Sequence, residues 1–246
     1  MKRLSVLALS AVLSGAAAAA PLDVYILAGQ SNMSGRAPLD GLPPFPHAAG
    51  IVMERAGHWV PAREPVSDEP EARLGPSMAF ADALLTERPG RIGLVPCARG
   101  GTHIRQWAPE APDGLFRTCL ARVQLVLNGG ARLAGLLWYQ GEYDTWSVAD
   151  AEAWPERFRT LAAAFRSALD APRMPIVFTQ IGPPGPAGSP AARLIALQGS
   201  LTLPDAARVS ASDLPFGDDH LHLTQGGELV LGRRYAAAML KLTRPE

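Results

Sequence analysis

The sequence predicts an α/β fold in which a parallel β-sheet is covered by helices on both faces. Short apolar runs typical of buried strands alternate with amphipathic segments typical of helices throughout the chain after residue 20. No internal repeat or linker divides the chain, and its 246 residues suit one domain of this class once a leader is removed. Because strand–helix–strand crossovers are almost always right-handed, this alternation favours parallel strands between two helical layers.

Five short apolar runs predict the strands of the sheet. Each is bounded by residues typical of turns, and several end in glycine-rich or polar segments. The predicted strands are residues 24–28, 92–96, 133–139, 176–181 and 207–211. Near-continuous apolar runs of this kind are typical of strands that are buried on both faces, so we expect a central five-stranded parallel sheet.

Five segments with apolar residues at three- and four-residue spacing predict the helices. Ser147 followed by Asp150 is a typical helix start, whereas Pro155 marks a kink or the true beginning of the regular helix. The predicted helices are residues 75–88, 115–127, 147–170, 191–200 and 225–242. The Pro- and Gly-rich segment 37–76 is expected to form long surface loops that border a site.

Residues 1–20 have the pattern of a secretory signal peptide. Lys2 and Arg3 precede the apolar run 4–13, and a stretch of small residues rich in alanine follows. The apolar run is too short to cross a bilayer as a helix. We therefore expect an exported protein, periplasmic or secreted, in which residues 21–246 form a single domain without a membrane anchor.

The charge content limits the class of binding partner, and the cysteine content allows at most one disulfide. Lys and Arg number 23 and Asp and Glu number 23, so no net charge favours nucleic acid or an anionic membrane surface. The expected partner is small or neutral. Cys97 and Cys119 are the only cysteines, and in an oxidising compartment they either form one disulfide or stay as two buried thiols.

Ser31 follows the first predicted strand, at the point where open α/β sheets place their ligands. Gly29 permits a tight turn between that strand and the serine. A serine at this position is either a nucleophile or an ordinary helix N-cap, and the local sequence does not separate the two. A second cluster near the carboxyl end of the chain favours the nucleophile.

Asp219 and His222 supply the two groups that a serine nucleophile requires. The base must reach the serine hydroxyl, and a third group must hold the base in the correct tautomer. Residues three apart in a turn can place a carboxylate on one imidazole nitrogen and leave the other nitrogen facing Ser31. Asp218 and His220 form a competing pair with a spacing of two.

Three further donors are candidates for an oxyanion hole, which ester hydrolysis through an acyl-enzyme requires. They are the backbone N–H of Ser31, the backbone N–H of Gly100 and the side-chain amide of Gln140, each at the end of a different predicted strand. A metal site within the acidic and histidine cluster 218–222 is disfavoured, because no third or fourth ligand has matching local spacing.

Four blocks of sequence resemble, in order and spacing, those of the sialate O-acetylesterase and acetylxylan esterase family, a carbohydrate esterase branch of the SGNH or GDSL-like hydrolases. They are Gly-Gln-Ser-Asn-Met at 29–33, Gly-Gly-Thr at 100–102, Trp-Tyr-Gln-Gly-Glu at 138–142 and Asp-His-Leu-His-Leu-Thr at 219–224. The resemblance spans almost the whole mature chain. It implies a three-layer α/β/α sandwich of the flavodoxin-like type and a carbohydrate O-deacetylase that needs no metal or other cofactor.

The resemblance also implies roles for individual residues. By position, Ser31 is the nucleophile, His222 the general base and Asp219 the residue that orients it. Gly100 and Gln140 complete the oxyanion hole with Ser31. Glu142 belongs to the third block and either supports the site or forms a structural ion pair.

The expected function is an exported serine esterase that removes O-acetyl groups from acetylated sialic acid, xylan or other glycans through an acyl-enzyme. A lipase, thioesterase or general short-chain esterase on the same triad is the first alternative. A non-catalytic carbohydrate-binding protein is the second. Several arginines and tryptophans lie near the predicted pocket in sequence: Arg36, Arg105, Trp107, Trp138 and Trp146. The aromatic rings could stack on a sugar ring, or they pack in the core or against a loop.

Overall fold

A computed structural model describes residues 21–244, which form a seven-stranded sheet of strand order β3-β2-β4-β1-β5-β6-β7. All neighbouring strands are parallel except β2 and β3. The strands are β1 (Leu22–Gly29), β2 (Ile51–Arg55), β3 (His58–Pro61), β4 (Arg91–Pro96), β5 (Arg132–Tyr139), β6 (Ile176–Gln180) and β7 (Ala206–Ser210). The predicted fold class is confirmed.

Two helical layers cover the sheet. The helices are α1 (Ser31–Ser34), α2 (Ser77–Glu87), α3 (Leu115–Leu127), α4 (Val148–Ala168), α5 (Pro190–Ser200) and α6 (Gln225–Leu242). Helices α2 and α6 pack against each other on one face, whereas α4 packs against α5 and α3 packs on β1 and β4. The predicted cap of α4 is present, since Ser147 Oγ accepts the Asp150 N–H at 3.0 Å, and Pro155 lies within the helix.

The sheet has two strands more than the five that were predicted. Strands β2 and β3 form an antiparallel hairpin, and β2 also pairs with β4. The hairpin turn is Ala56-Gly57, and both residues have positive φ, as in the two-residue turns that favour right-twisted hairpins. Alanine is an unusual residue in such a turn, so the segment lacks the Asn-Gly or Asp-Gly pair that marks a hairpin in a sequence. The loops on either side of the hairpin follow the prediction.

The core explains why β1 is apolar from Val24 to Ala28, the part of the strand that is fully buried. Tyr25 of β1 meets Phe80 of α2 edge to face at 4.9 Å, and the opposite side of the sheet carries a cluster of stacked and edge-to-face aromatic rings. The tryptophans of this cluster are fully buried: Trp107, Trp138 and Trp154. Two of the tryptophans considered as sugar ligands, Trp107 and Trp138, therefore belong to the core.

The strand register brings the turns after β1, β4 and β5 to one edge of the sheet. Gly29 pairs with Tyr139, and the Gly29 carbonyl accepts the Arg99 N–H at 2.9 Å. Gly29 has φ +128°, and a Cβ there would lie 2.1 Å from the Tyr139 carbonyl oxygen. Only glycine allows the end of β1 to lie this close to β5, which sets the position of the following Ser31.

The predicted signal peptide, residues 1–20, lies outside the described residues. Between residues 21 and 244, no helix is both long enough and apolar enough to cross a lipid bilayer.

Cys97 and Cys119 form a disulfide, which decides between the two alternatives left open by the sequence. Cys97 follows β4, and the buried Cys119 lies on α3. The bond therefore ties the segment that leads to Gly100 to a helix on the face of the sheet.

We expect reduction of this disulfide to lower the free energy of unfolding by about 3 kcal/mol, because the bond closes a loop with a sequence separation of 22. Urea unfolding of the wild type with and without dithiothreitol measures the difference. The double variant Cys97→Ala/Cys119→Ala is the control and should not respond to the reductant. Equal unfolding midpoints for oxidised and reduced wild type would contradict the prediction.

Candidate active site

Ser31 begins α1 directly after β1, at the edge where the sheet's carboxyl ends meet. Its side chain is largely buried, but it lines an open pocket. As the first residue of a helix, Ser31 has a backbone N–H without an intrahelical acceptor, and among residues 21–244 no other group accepts it. A hydroxyl and a free N–H donor therefore lie together at this point.

His222 and Asp219 lie beside Ser31, as the sequence predicted. The Ser31 hydroxyl is 2.9 Å from His222 Nε2, and His222 Nδ1 is 2.7 Å from Asp219 Oδ2. With the imidazole proton on Nδ1, His222 donates to Asp219 and accepts from the Ser31 hydroxyl. The competing His220 is exposed, has φ 52°, and makes no hydrogen bond to Asp218 among the described contacts.

The turn around Asp219 fixes the carboxylate in its charged form. Asp219 Oδ1 accepts the backbone N–H of Leu221 at 3.0 Å and that of His222 at 2.9 Å. Partial burial acts to raise the pKa of Asp219, but these two donors and the imidazole outweigh it and lower the pKa to about 2. The carboxylate stays ionised at neutral pH and can stabilise a protonated His222.

Asn32 holds the segment that carries His222, a role that the sequence did not predict. Its Nδ2 donates to Glu142 Oε1 at 2.8 Å and to the Leu221 carbonyl at 3.1 Å. Its Oδ1 accepts the Leu223 N–H at 3.1 Å. The residue before His222 and the residue after it are thus both bound to the side chain next to Ser31, which sets the distance between hydroxyl and imidazole. The only signal in the sequence was a polar residue directly after the serine.

Glu142 supports the site through Asn32 and has no part in the ion pairs described for residues 21–244. Burial raises the pKa of Glu142 to about 7, and the nearby Asp144 acts in the same direction, while the hydrogen bond from Asn32 partly opposes the shift. Its second oxygen is buried without a partner, and so are both carboxyl oxygens of Glu228.

The structure does not bring the Gln140 side chain to the pocket, which contradicts its predicted place in an oxyanion hole. Gln140 Nε2 donates to the Thr102 carbonyl at 2.9 Å and to a carboxylate oxygen of Asp144, and Gln140 Oε1 accepts the Trp154 indole N–H at 2.8 Å. Both amide hydrogens are therefore in use. Gln140 joins the ends of three segments beneath the site and has no donor left for a ligand.

The Gly100 N–H faces the pocket but already has an acceptor. It donates to Glu69 Oε1 at 2.8 Å, and Glu69 Oε2 lies 3.1 Å from Arg36 Nη2. Partial burial opposes ionisation of Glu69, but donors at Ser34, Gly100 and Arg36 lower its pKa. Glu69 belongs to the loop region that was expected to border the site, and a single acidic residue in an irregular loop gave no sequence signal.

The pocket beside Ser31 has a volume of about 430 Å³. Pro70 and Leu221 contribute apolar surface, but most of the lining is polar or charged. The charged and aromatic lining residues are Arg36, Glu69, Glu71, Arg99, Tyr143 and His222. A small pocket with this lining suits a hydroxylated ligand better than a long aliphatic chain.

Within residues 21–244, no three His, Cys, Asp or Glu side chains are arranged to hold a metal ion. The acidic and histidine cluster at 218–222 is instead divided, since His222 contacts Ser31 and Asp219 contacts His222, whereas Asp218 and His220 take no part in this series.

Comparison with known proteins gives a consistent result. Residues 21–241 match the family described as carbohydrate esterase, sialic acid-specific acetylesterase. A probable carbohydrate esterase of Arabidopsis thaliana is 32% identical in an alignment of 241 positions, and the match covers 89% of this chain and 91% of the plant protein. The crystal structure of that protein superposes with a TM-score of 0.82 and 31% identity, over 90% of this chain and 98% of the other.

Two more distant structures share the fold. A carbohydrate acetylesterase from Xanthomonas citri has a TM-score of 0.68 and 22% identity, and the match covers 89% of this chain and 56% of the bacterial protein. NanS has a TM-score of 0.69 and 18% identity, over 90% of this chain and 98% of its own.

We expect Glu142→Gln to change how stability depends on pH. Glu142 has a pKa of about 7 in the folded protein and 4.5 as its ordinary value, so ionisation destabilises the folded state as pH rises through this interval. Glutamine can still accept the Asn32 hydrogen bond but cannot ionise. Between pH 4 and pH 8, the free energy of unfolding of the variant should therefore rise relative to the wild type by roughly 3 kcal/mol.

Urea unfolding at several pH values measures this difference. Glu110→Gln, at an exposed position, is the matched control for the loss of one carboxylate. A constant difference between Glu142→Gln and wild type across the pH range would show that the Glu142 carboxyl does not titrate as described.

Proposed function

The chain belongs to the carbohydrate esterase family described as sialic acid-specific acetylesterases, which makes it a carboxylic ester hydrolase, and we propose that it removes O-acetyl groups from glycans through an acyl-enzyme on Ser31. The observation that carries the proposal is the hydrogen-bonded series of Ser31, His222 and Asp219, with contacts of 2.9 Å and 2.7 Å. A serine hydroxyl is a weak nucleophile, and this series supplies both a base and a group that orients the base.

In the proposed first step, Ser31 Oγ attacks the acetyl carbonyl carbon while His222 Nε2 takes the hydroxyl proton. Asp219 stabilises the imidazolium that forms, because its carboxylate remains ionised. The tetrahedral intermediate then expels the sugar oxygen, which receives the proton from His222. This leaves an acetyl-serine and a free sugar hydroxyl.

In the proposed second step, water replaces the sugar. His222 removes a proton from the water as it attacks the acetyl carbon, and the same proton returns to Ser31 Oγ when the acyl bond breaks. The products are acetate and the free enzyme. His222 therefore acts alternately as base and acid, and the reaction needs no other titratable group.

The proposed oxyanion hole consists of the backbone N–H groups of Ser31 and Gly100. The first is free, whereas the second donates to Glu69. An acyl oxygen that binds Gly100 must therefore displace the Glu69 carboxylate. Since Glu69 is also bound by Arg36, it retains a cationic partner when it leaves Gly100.

The lining of the pocket supports a sugar ester over the lipase or thioesterase alternative. Arg36, Glu69, Glu71 and Arg99 surround the serine with charge, and an aliphatic acyl chain longer than acetate would bury none of this surface favourably. The hydroxyls of a sugar can hydrogen-bond to these groups. The family description names sialic acid, and acetylated sialic acid, xylan and other glycans are the proposed substrates.

We further propose that the protein is exported and that residues 21–246 act as one esterase domain. The charged start, short apolar run and small residues of segment 1–20 support export. The disulfide between Cys97 and Cys119 is also typical of a protein in an oxidising compartment.

Ser31→Ala and His222→Ala should each lower kcat for 4-nitrophenyl acetate by about three orders of magnitude or more, because each removes a member of the catalytic series. Release of 4-nitrophenol by the mature protein measures the rate. His220→Asn is the matched control for His222→Ala, since His220 is exposed nearby and asparagine tolerates its φ of 52°.

The outcomes separate the alternatives. Undiminished turnover in Ser31→Ala would mean that another residue is the nucleophile. A large loss in His220→Asn together with an active His222→Ala would favour the Asp218 and His220 pair. An inactive wild type would favour a non-catalytic carbohydrate-binding protein.

Acyl chain length gives a second prediction. The ratio kcat/KM should fall by about tenfold or more from 4-nitrophenyl acetate to the butyrate, and further to the octanoate, because each added methylene must lie against charged groups. Ester hydrolysis at fixed pH measures the series. A rise in kcat/KM with chain length would favour a lipase or thioesterase.

A further inference from the structure

Trp146 is the most exposed of the large apolar side chains among residues 21–244. Its exposed fraction is 69%, against 57% for Leu125 and 49% for Val148. The other tryptophans that could have bound a sugar, Trp107 and Trp138, are fully buried. The exposed indole of Trp146 leaves a large apolar face available to a ligand, whereas the rings of Trp107 and Trp138 are enclosed by the core.

The indole of Trp146 is held in one orientation by two neighbouring rings. Its centroid lies 4.6 Å from that of Tyr143 at an interplanar angle of 34°, and 5.5 Å from that of His103 at 87°. His103 in turn lies edge to face with Tyr143 at 5.7 Å. These three side chains form what we call the aromatic platform.

The segment below the platform is also fixed. Tyr143 and Trp146 belong to the 3₁₀ turn Glu142–Trp146, in which Thr145 Oγ1 donates to the Glu142 carbonyl at 2.6 Å. The same turn is anchored by the Asn32 bond to Glu142 and by the Ile104 N–H, which donates to Asp144 Oδ2 at 2.9 Å. The platform is therefore preorganised by the contacts that hold the site.

The platform continues the surface of the pocket. Tyr143 lines the pocket together with Ser31 and Gly101, and a Cβ on Gly101 would lie 3.2 Å from the Tyr143 hydroxyl. Trp146 packs on the same tyrosine, with ring centroids 4.6 Å apart, so Tyr143 connects the pocket beside Ser31 to the indole.

We propose that the aromatic platform is a subsite for a second sugar ring, next to the ring whose acetyl group reaches Ser31. The inference rests on the proposed function and names its substrate class more closely: an acetylated oligosaccharide or polysaccharide rather than a free monosaccharide. A pyranose has one face of C–H groups that packs on an aromatic ring and a rim of hydroxyls that needs polar partners. Arg105 and Asp150, paired at 3.4 Å, follow His103 and Trp146 closely in the chain and are candidate partners for those hydroxyls.

A second protein copy fits this surface less well than a sugar. Stable protein interfaces bury about 800 Å² on each partner, and they need a central cluster of apolar side chains. One indole and the exposed part of Val148 provide much less. The polar surroundings and the direct continuity with the pocket favour a hydroxylated chain molecule.

The test compares glycans of different length in wild type, Trp146→Ala, Trp146→Phe and Leu125→Ala. Two pairs of substrates each contain a short and a long glycan. The first pair is O-acetylated xylose and an O-acetylated xylohexaose, and the second is free 9-O-acetylated sialic acid and the same sugar in a sialyl trisaccharide. The small ester 4-nitrophenyl acetate serves as the reference substrate. Acetate release gives kcat and KM. The wild type is expected to hydrolyse at least one of the two glycan pairs, xylose with xylohexaose or free sialic acid with the trisaccharide. Within that pair, its KM should be about tenfold lower for the longer glycan than for the shorter one.

Trp146→Ala should remove this preference for length and raise the KM for the longer glycan about tenfold, with at most a twofold change in kcat. The increase should be at least five times larger than that for 4-nitrophenyl acetate. Trp146→Phe should retain most of the preference, because an aromatic face remains. Leu125→Ala is the matched control, since it removes an exposed apolar side chain on α3.

Four results would overturn the inference. The first two are an equal KM for long and short glycans in the wild type and an unchanged KM for the longer glycan in Trp146→Ala. The third is an equal loss of kcat/KM by Trp146→Ala on all esters. The fourth is a wild type that hydrolyses the aryl ester but none of the glycans. A dimer in sedimentation that Trp146→Ala dissociates would assign the platform to a second copy instead. A wild type that is inactive on 4-nitrophenyl acetate would overturn the proposed function itself.

Discussion

The three hydrogen bonds of Asn32 are the interaction on which the arrangement of the site depends. They join the end of the first strand to the segment before the last helix and to the turn after β5. A buried amide has few donors and acceptors, and here both N–H donors and the carbonyl oxygen are bound, so one orientation is strongly preferred. His222 inherits that orientation because both of its neighbours in the chain are bound. The distance from imidazole to serine is thus a property of the packed domain rather than of the loop.

Two buried carboxyl groups in this part of the protein destabilise the folded state when they ionise. Glu142 and Glu228 are buried, and the described ion pairs supply no cation to either of them. Burial raises the pKa of both carboxyl groups, and the nearby Glu64 and Glu142 raise the pKa of Glu228 further. Ordinary cores avoid such groups or pair them, because an ionised carboxylate without a partner is destabilising. Glu142 contacts Asn32 directly, and this follows the general pattern that functional sites contain groups which destabilise the fold.

The parts of the structure that follow from local pattern could be predicted from the sequence. Apolar runs gave five of the strands, and the Ser31, Asp219 and His222 series followed from chemistry together with the position of strand ends. The short β2–β3 hairpin was missed because an Ala-Gly turn carries little signal.

The role predicted for Gln140 was wrong for a different reason. Its amide is turned inward by Thr102, Asp144 and Trp154, which come from three separate segments. No spacing in the sequence encodes such a convergence. The same holds for the contact between Glu69 and Gly100, since the two residues lie 31 positions apart and meet only in the folded protein.

Ser31 and His222 lie 191 positions apart in the chain, so the ribosome makes the serine long before it makes the histidine. The serine is among the first of the described residues to be made, whereas the imidazole that would activate it comes near the end. A nascent or truncated chain that stops before residue 219 contains the whole of β1 and its serine but has neither base nor orienting carboxylate. On the proposed triad, esterase activity therefore requires a nearly complete domain. A chain that is still being synthesised cannot hydrolyse esters through Ser31.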